Sequence, residues 1–324
     1  MDFTDFTAGK NDNDRRMDKI LRFFIKDASL SEIYKALRKG LIKLNKKKCK
    51  PETHVFEGDI ISIASFLLSK ADKDGSIVKS NSDFSTTTLN IIFENENLLV
   101  INKPYDINVH GDSESLDKLV VDYYKSKKIS TSLSFIPGPL HRLDKKTTGL
   151  LAFSFSLDGA RWFADNIKNH SITKIYYSVL EGEITKPETW EDVITNKNEE
   201  NNGFHKVSVS TETIDKDSRN AVTKVYPLGY GSWNNIKLTF VKIQILTGRK
   251  HQIRAQSSLH KHPLLGDTVY GGHELKNSKQ SHFLHAGFLN IPENSLGIPS
   301  VLKADLPQNF NKFLNSCGIT KIEL

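Results

Sequence analysis

Apolar and polar positions alternate with two different periods along this chain, and the places where the period changes mark its elements. From Arg15 onward Met17, Leu21, Phe24 and Ile25 recur at helical spacing, and after "DASLS" Ile33, Tyr34 and Leu37 repeat the pattern, which predicts two short helices. "RKGLIKLNKKKCKPETHVFEGDIISI" then reads as a turn at Gly40, a strand "LIKL", a basic turn, and a second strand entered through "EGD". Residues 69–88, "SKADKDGSIVKSNSDFSTTT", have linker composition. Beyond them come strands "LNIIFEN" and "LLVINKP", an amphipathic "LDKLVVDYY" and a Pro/Gly-broken "FIPGPLHRLD". The strand "GLLAFSFS", helix "DGARWFADNIKN", strands "KIYYSVLEGE" and "NIKLTFVKIQIL", and a helix starting near "GRKHQIRAQ" complete the pattern. The fold class expected is α+β: a disordered tail over 1–14, which are polar and aperiodic, a small α/β domain over 15–68, a linker over 69–88, and a large domain over 89–324.

Charge sharpens this picture because of where it sits. The chain of 324 residues carries +7 at neutral pH, yet residues 15–50 alone hold 13 Lys or Arg against 3 Asp or Glu, so everything outside that segment is net acidic. One basic module on an otherwise acidic protein suits a polyanionic partner. The two cysteines, Cys49 and Cys317, have no metal or disulfide spacing, and the longest apolar run, "IISIASFLL", is too short to span a bilayer. A cytoplasmic location is expected. His251, His260, His262 and His285 match no common ligand pattern, so no metal is expected, and the glycines of "GDTVYGG" read as turns.

Candidate chemistry concentrates in "PLHRLDKKTTG", residues 139–149. A carboxylate at Asp144 flanked by Arg142, Lys145 and Lys146 has its charged form favoured by the neighbouring cations. That suits a nucleophile, although a screened surface ion pair would look the same. The wider context decides. "HRLDKKTTGLL" resembles the signature H-R-L-D-x-x-T-S-G of the RluA-type pseudouridine synthases. Upstream "ENENLLVINKPYDINVHG" and downstream "KIYYSVLEG", "TGRKHQIRAQSSLHKHPLLGDTVYGG" and "FLHA" resemble the other blocks of that family, in order, over roughly residues 89–290. Residues 16–63 resemble an S4-type RNA-binding domain.

The resemblance implies a pseudouridine synthase fold with a mixed, mainly antiparallel sheet, and isomerisation of uridine to pseudouridine without a cofactor. It implies large-subunit (23S) rRNA as partner, with tRNA as an alternative, and nothing in the sequence requires an oligomer. Asp144 is then the nucleophile or the ribose-deprotonating base, and Arg254 its counter-charge, with Arg249 as rival at the start of the same helix. Tyr176 of the K-x-Y segment is the base-stacking residue; its neighbour Tyr177 must face the other way in a strand. Arg142 is placed to assist base extrusion, and His141 either shares that task or stabilises the turn. Arg16, Lys19, Arg38, Lys39, Lys46, Lys47 and Lys48 are the expected phosphate contacts of the basic module. Departures from the family pattern are Thr148 for Ser, Asp106 for Gly and Gln256 for His. A catalytically idle RNA-binding factor and a glycosidase are the competing readings. The second needs another catalytic acid near Asp144, where the loop offers only cations.

Overall fold

The computed structural model describes every residue except 26–27, 69–87, 128–131, 202–203, 211–217, 277–279 and 322–324. The expected linker therefore lies outside the described residues, apart from Thr88.

The first unit holds β1 (Phe3–Thr7), β2 (Arg15–Arg16), α1 (Met17–Phe24), α2 (Leu30–Lys39), β3 (Ile42–Leu44), β4 (Lys47–Lys48), β5 (His54–Val55), β6 (Ile60–Ala64) and α3 (Ser65–Leu68). The apolar stripe of α1 (Met17, Ile20, Leu21) meets that of α2 (Ile33, Ala36, Leu37) over Ile42, Ile61 and Ile63 of the sheet. Ser29 and Glu32 cap α2 reciprocally: the Glu32 N–H donates to Ser29 Oγ at 3.3 Å and the Ser29 N–H to Glu32 Oε2 at 2.8 Å. Gly40, at φ 70°, ends the helix.

Residues 1–14 overturn one expectation. Instead of a disordered tail they supply β1, which pairs antiparallel with β6 from Phe3↔Ala64 to Thr7↔Ile60. Phe6 packs on Phe24 with ring centroids 4.4 Å apart, and Lys43 lies over the Phe3 ring. Two aromatics in five residues are too few to show a periodicity, and the apolar surface they need belongs to residues far along the chain. After β1 the segment docks on the second unit. Asp12, fully buried, accepts hydrogen bonds from Ser132 Oγ, the Leu133 N–H and Ser134 Oγ, while Asn11 accepts from the Leu157 N–H.

The second unit comprises β7 (Ile91–Glu94), β8 (Leu98–Lys103), α4 (Leu116–Ser126), β9 (Thr148–Ser154), α5 (Leu157–Lys168), β10 (Thr173–Glu181), β11 (Glu188–Asn201), β12 (Phe204–Ser210), β13 (Ser218–Trp233), β14 (Ile236–Ile245), α6 (Gln252–Leu259), β15 (Leu284–Asn290), β16 (Val301–Lys303), α7 (Gln308–Ser316) and β17 (Thr320–Lys321). Its eleven-stranded sheet runs β12-β11-β13-β14-β10-β15-β9-β8-β7, with β16 beside β15 and β17 beside β13. The β9–β15 pair is parallel and the other pairings are antiparallel, so the expected mixed, mainly antiparallel sheet of an α+β protein is what forms. Both faces are covered. Leu99, Ile101, Leu151 and Phe153 point to one core with Leu116 and Val120 of α4, while Leu98, Val100, Leu150 and Ala152 point to the other with Phe163 of α5. Among the described residues no helix is long and apolar enough to cross a membrane.

Candidate active site

The loop carrying Asp144 is tied down on both sides. Leu140 donates from its N–H to the Ala152 carbonyl, Leu143 is buried in the core, and the Thr147 N–H closes a turn on the Asp144 carbonyl at 3.0 Å. Underneath, Lys103 at the end of β8 is fully buried and donates from Nζ to the carbonyls of Lys145 (2.7 Å) and Pro104 (2.9 Å). Burial pulls its pKa down to about 7, although the charge of Asp144 works in the opposite direction. The Asp144 side chain is thereby held at the floor of a cleft of about 520 Å³, 18% exposed.

Tyr176 enters the same cleft from the middle of the sheet, on β10 between β14 and β15, at a register shift against β15 that falls between Ile175 and Tyr176. Burial first, and then the charge of Asp144, raise the pKa of its hydroxyl, so the ring is a phenol at neutral pH. Tyr177 faces the opposite way and stacks on Phe240 at 5.9 Å. Strand alternation thus separates the two adjacent tyrosines as expected.

Arg254 reaches the site from α6, where it is 9% exposed. Its guanidinium serves two carboxylates unequally. Nε and Nη2 donate to Asp267 at 2.6 and 2.9 Å, and Nη1 reaches Asp144 Oδ2 at 3.5 Å. Burial alone would lower the pKa of Arg254, but the hydrogen bonds and charge of Asp267, followed by the charge of Asp144, raise it instead. Burial would raise the pKa of Asp267, and the bonds from Arg254 hold it below the ordinary carboxylate value. Asp267 can occupy this position because Gly266 precedes it: at φ 91° a Cβ there would sit 1.7 Å from the Ser281 carbonyl oxygen.

His251 completes the wall. At φ 53° it caps α6, its Nε2 lies 3.8 Å from Asp144 Oδ1, and its Nδ1 meets the Tyr270 hydroxyl at 2.9 Å. Burial lowers its pKa to about 4, against a smaller opposing pull from Asp144, so it is neutral near pH 7. Asp267 and His251 were not distinguished by their sequence context, one reading as part of a glycine turn and the other as a histidine without a metal. The usable signal was charge balance: a buried arginine shared by two elements calls for a second anion.

The remaining expected site residues fall as follows. Arg142 is exposed at the mouth of the cleft. Arg249 also lines it, but the helix begins at Gln252, so Arg249 belongs to the preceding turn, exposed, with its Nε–H donated to the Asn220 carbonyl; the shared helix start is corrected. His141 accepts the Ala152 N–H on Nε2 at 3.1 Å and stacks on Phe163, which is the turn-stabilising arrangement. His260 pairs with Asp192, His262 meets the Glu181 carbonyl, and His285 meets Thr148 and the Ala304 carbonyl, each bound to a separate partner. Gln256, fully buried, donates to Asp192, Trp190 and Ala221 and accepts from Thr223, knitting α6 to β11 and β13.

In the first unit Lys46, Lys47 and Lys48 are exposed on the β3–β4 turn, and Lys48 runs alongside Gly40, next to Arg38 and Lys39 in the last turn of α2. Lys19 is exposed on α1. Arg16 is held by Asp18 through two bonds of 3.2 and 2.8 Å.

Comparison with known proteins agrees with the geometry. Residues 97–259 match the family described as RNA pseudouridylate synthase. The chain is 30% identical over 304 residues to ribosomal large subunit pseudouridine synthase C of Rickettsia bellii, covering 92% of this chain and 96% of that protein. It is 26% identical over 314 residues to the protein of that name from Vibrio vulnificus, covering 93% and 92%. The solved structure of human RNA pseudouridylate synthase domain containing 4 shares the fold with a TM-score of 0.56 at 24% identity, over 71% of this chain and 93% of that one. The family match over half of the chain and the 30% identity along nearly its whole length place the chain in the RNA pseudouridylate synthase family, and the protein is a pseudouridine synthase.

Proposed function

We propose that the protein isomerises uridines of large-subunit ribosomal RNA, with the first unit acting as an S4-type RNA anchor and the cleft receiving a uridine swung out of its helix. Convergence of Asp144, Tyr176 and Arg254 on one cleft carries this reading, together with the names of the relatives.

Isomerisation breaks the C1′–N1 glycosidic bond, turns the freed base, joins C5 to C1′ and removes the proton from C5. Asp144 on this reading supplies the carboxylate oxygen that attacks C1′ or takes a ribose proton. Its contact to Arg254 is long, so the oxygen is oriented without being locked into a tight pair. The Tyr176 ring offers a stacking surface to the base, holding it while it turns. As a phenol, its hydroxyl accepts the C5 proton only by passing its own proton onward, so a relay through water suits it better than outright abstraction. Arg142, at the cleft mouth, is placed to fill the vacated stack, and the exposed Lys46–Lys48 turn with Arg38 and Lys39 offers phosphates a sequence-tolerant grip. The enzyme works as a monomer in the cytoplasm on this reading. Incubating it with unmodified large-subunit rRNA and mapping pseudouridine tests the proposal: modified positions support it, and RNA binding without product favours an idle assembly factor.

A further inference from the structure

The cleft is longer than its catalytic end. Past Tyr176 it continues between the end of α5 and the turn after β14, walled by Ile167, Ile172, Lys174, Thr247 and Gly248. Lys174 and Tyr176 are two residues apart on β10, so their side chains leave the same face of the strand, roughly 7 Å apart along it.

Lys174 is 8% exposed and has no hydrogen-bond or ion-pair partner among the described residues. Burial lowers its pKa, and no nearby anion offsets that shift. The stem of Lys174 is buried while its nitrogen is not among the fully enclosed unpartnered atoms, so Nζ faces the open cleft, where an anion would supply the counter-charge that this half-desolvated ammonium lacks. A second unsatisfied donor belongs to the same cleft. His141 uses Nε2 to accept the Ala152 N–H, which puts its hydrogen on Nδ1, and that buried atom has no partner. Both residues line this cleft, and after burial the positive charge of Lys174 lowers the pKa of His141 further. Lys168 and Arg249 are exposed at the rim, and among the described residues the one carboxylate lining the cleft is Asp144, at the other end and already facing Arg254. Space is kept open as well: a Cβ at position 248 would come within 3.1 Å of Lys174 Nζ.

We infer that this end of the cleft is a phosphate subsite, in which Lys174 Nζ binds a non-bridging oxygen of a phosphodiester flanking the uridine stacked on Tyr176. The inference rests on the cleft being the seat of an extruded uridine. It gives the amine the anion it lacks, and it puts a backbone phosphate next to the target uridine at the α5 end of the cleft.

The test uses the full chain and transcribed large-subunit rRNA, comparing the wild type with Lys174→Met and Lys174→Arg. Lys174→Met is expected to weaken RNA binding roughly tenfold and to reduce the slope of log K against log salt by about 0.7–0.9, the value of one phosphate contact. Lys174→Arg restores the slope. Thermal stability of Lys174→Met is expected to stay level or rise, because a half-desolvated charge is removed. In a short RNA spanning the mapped uridine, a neutral methylphosphonate at one flanking position should weaken the wild type and leave Lys174→Met unaffected. An unchanged salt slope and affinity in Lys174→Met, or a lowered melting temperature as its only effect, overturns the subsite while leaving the proposed reaction standing. Absence of product and of RNA binding with the wild type itself would overturn both.

Discussion

Arg254 divides its guanidinium between two carboxylates, and the division has consequences for each. Asp267 receives two short bonds and Asp144 one long one, so Asp267 holds the arginine and the arginine orients Asp144. Arg254→Lys keeps the charge but cannot fork, and it is expected to lower the single-turnover rate by ~100-fold or more. Asp267→Asn weakens the hold without emptying it and is expected to cost about tenfold in that rate. Asp144→Asn should abolish product while RNA affinity stays within about twofold; substantial turnover by this variant would remove Asp144 from its role. These residues differ in how far the sequence reveals them. Asp144, Arg254 and Tyr176 sit in motifs, whereas Asp267 hides among turn glycines, and its importance arises only when the loop after Gly266 brings it under α6.

Elements were legible where both faces of the pattern lie close in sequence. The helices 17–24 and 30–39 and the strands around Tyr176 and Ile243 announce themselves by period, because each carries its own apolar stripe. The long strands β11 and β13 do not: "TWEDVITNKNEEN" is too polar to read as a strand, and it forms one by pairing with β13 over Glu188–Thr195 and with β12 toward its far end. β1 escapes detection for the related reason that its partner β6 lies more than fifty residues away. The β8–loop contact yields a pH prediction. Lys103 has a folded pKa of about 7 against roughly 10.4 in an unfolded chain. Between those values the unfolded state binds more protons, so this residue makes stability lowest below pH 7 and lets it rise as pH increases toward 10. Melting temperature measured against pH should show that rise in the wild type and lose it in Lys103→Met.

On the scale of the whole molecule, the segment 9–15 joins the two units. Asp12 sits between them, accepting from three residues near 133, and Arg15 donates to Ser134 Oγ at 2.7 Å. Asp12→Ala is expected to cost about 2–3 kcal/mol by stranding those donors, which denaturant titration would register. The same contact ties the unit that carries the basic β3–β4 turn to the unit that carries the cleft, which is the linkage the proposed RNA anchor requires. Reversing the charges at Lys46, Lys47 and Lys48 should then weaken RNA binding and flatten its salt dependence; if neither changes, the first unit is not the anchor. The most direct test of the account is pseudouridine mapping on unmodified large-subunit rRNA incubated in parallel with the wild type and Asp144→Asn. The account predicts discrete modified uridines with the first and none with the second, and it is contradicted if the wild type binds the RNA and modifies nothing, or if both proteins give the same product.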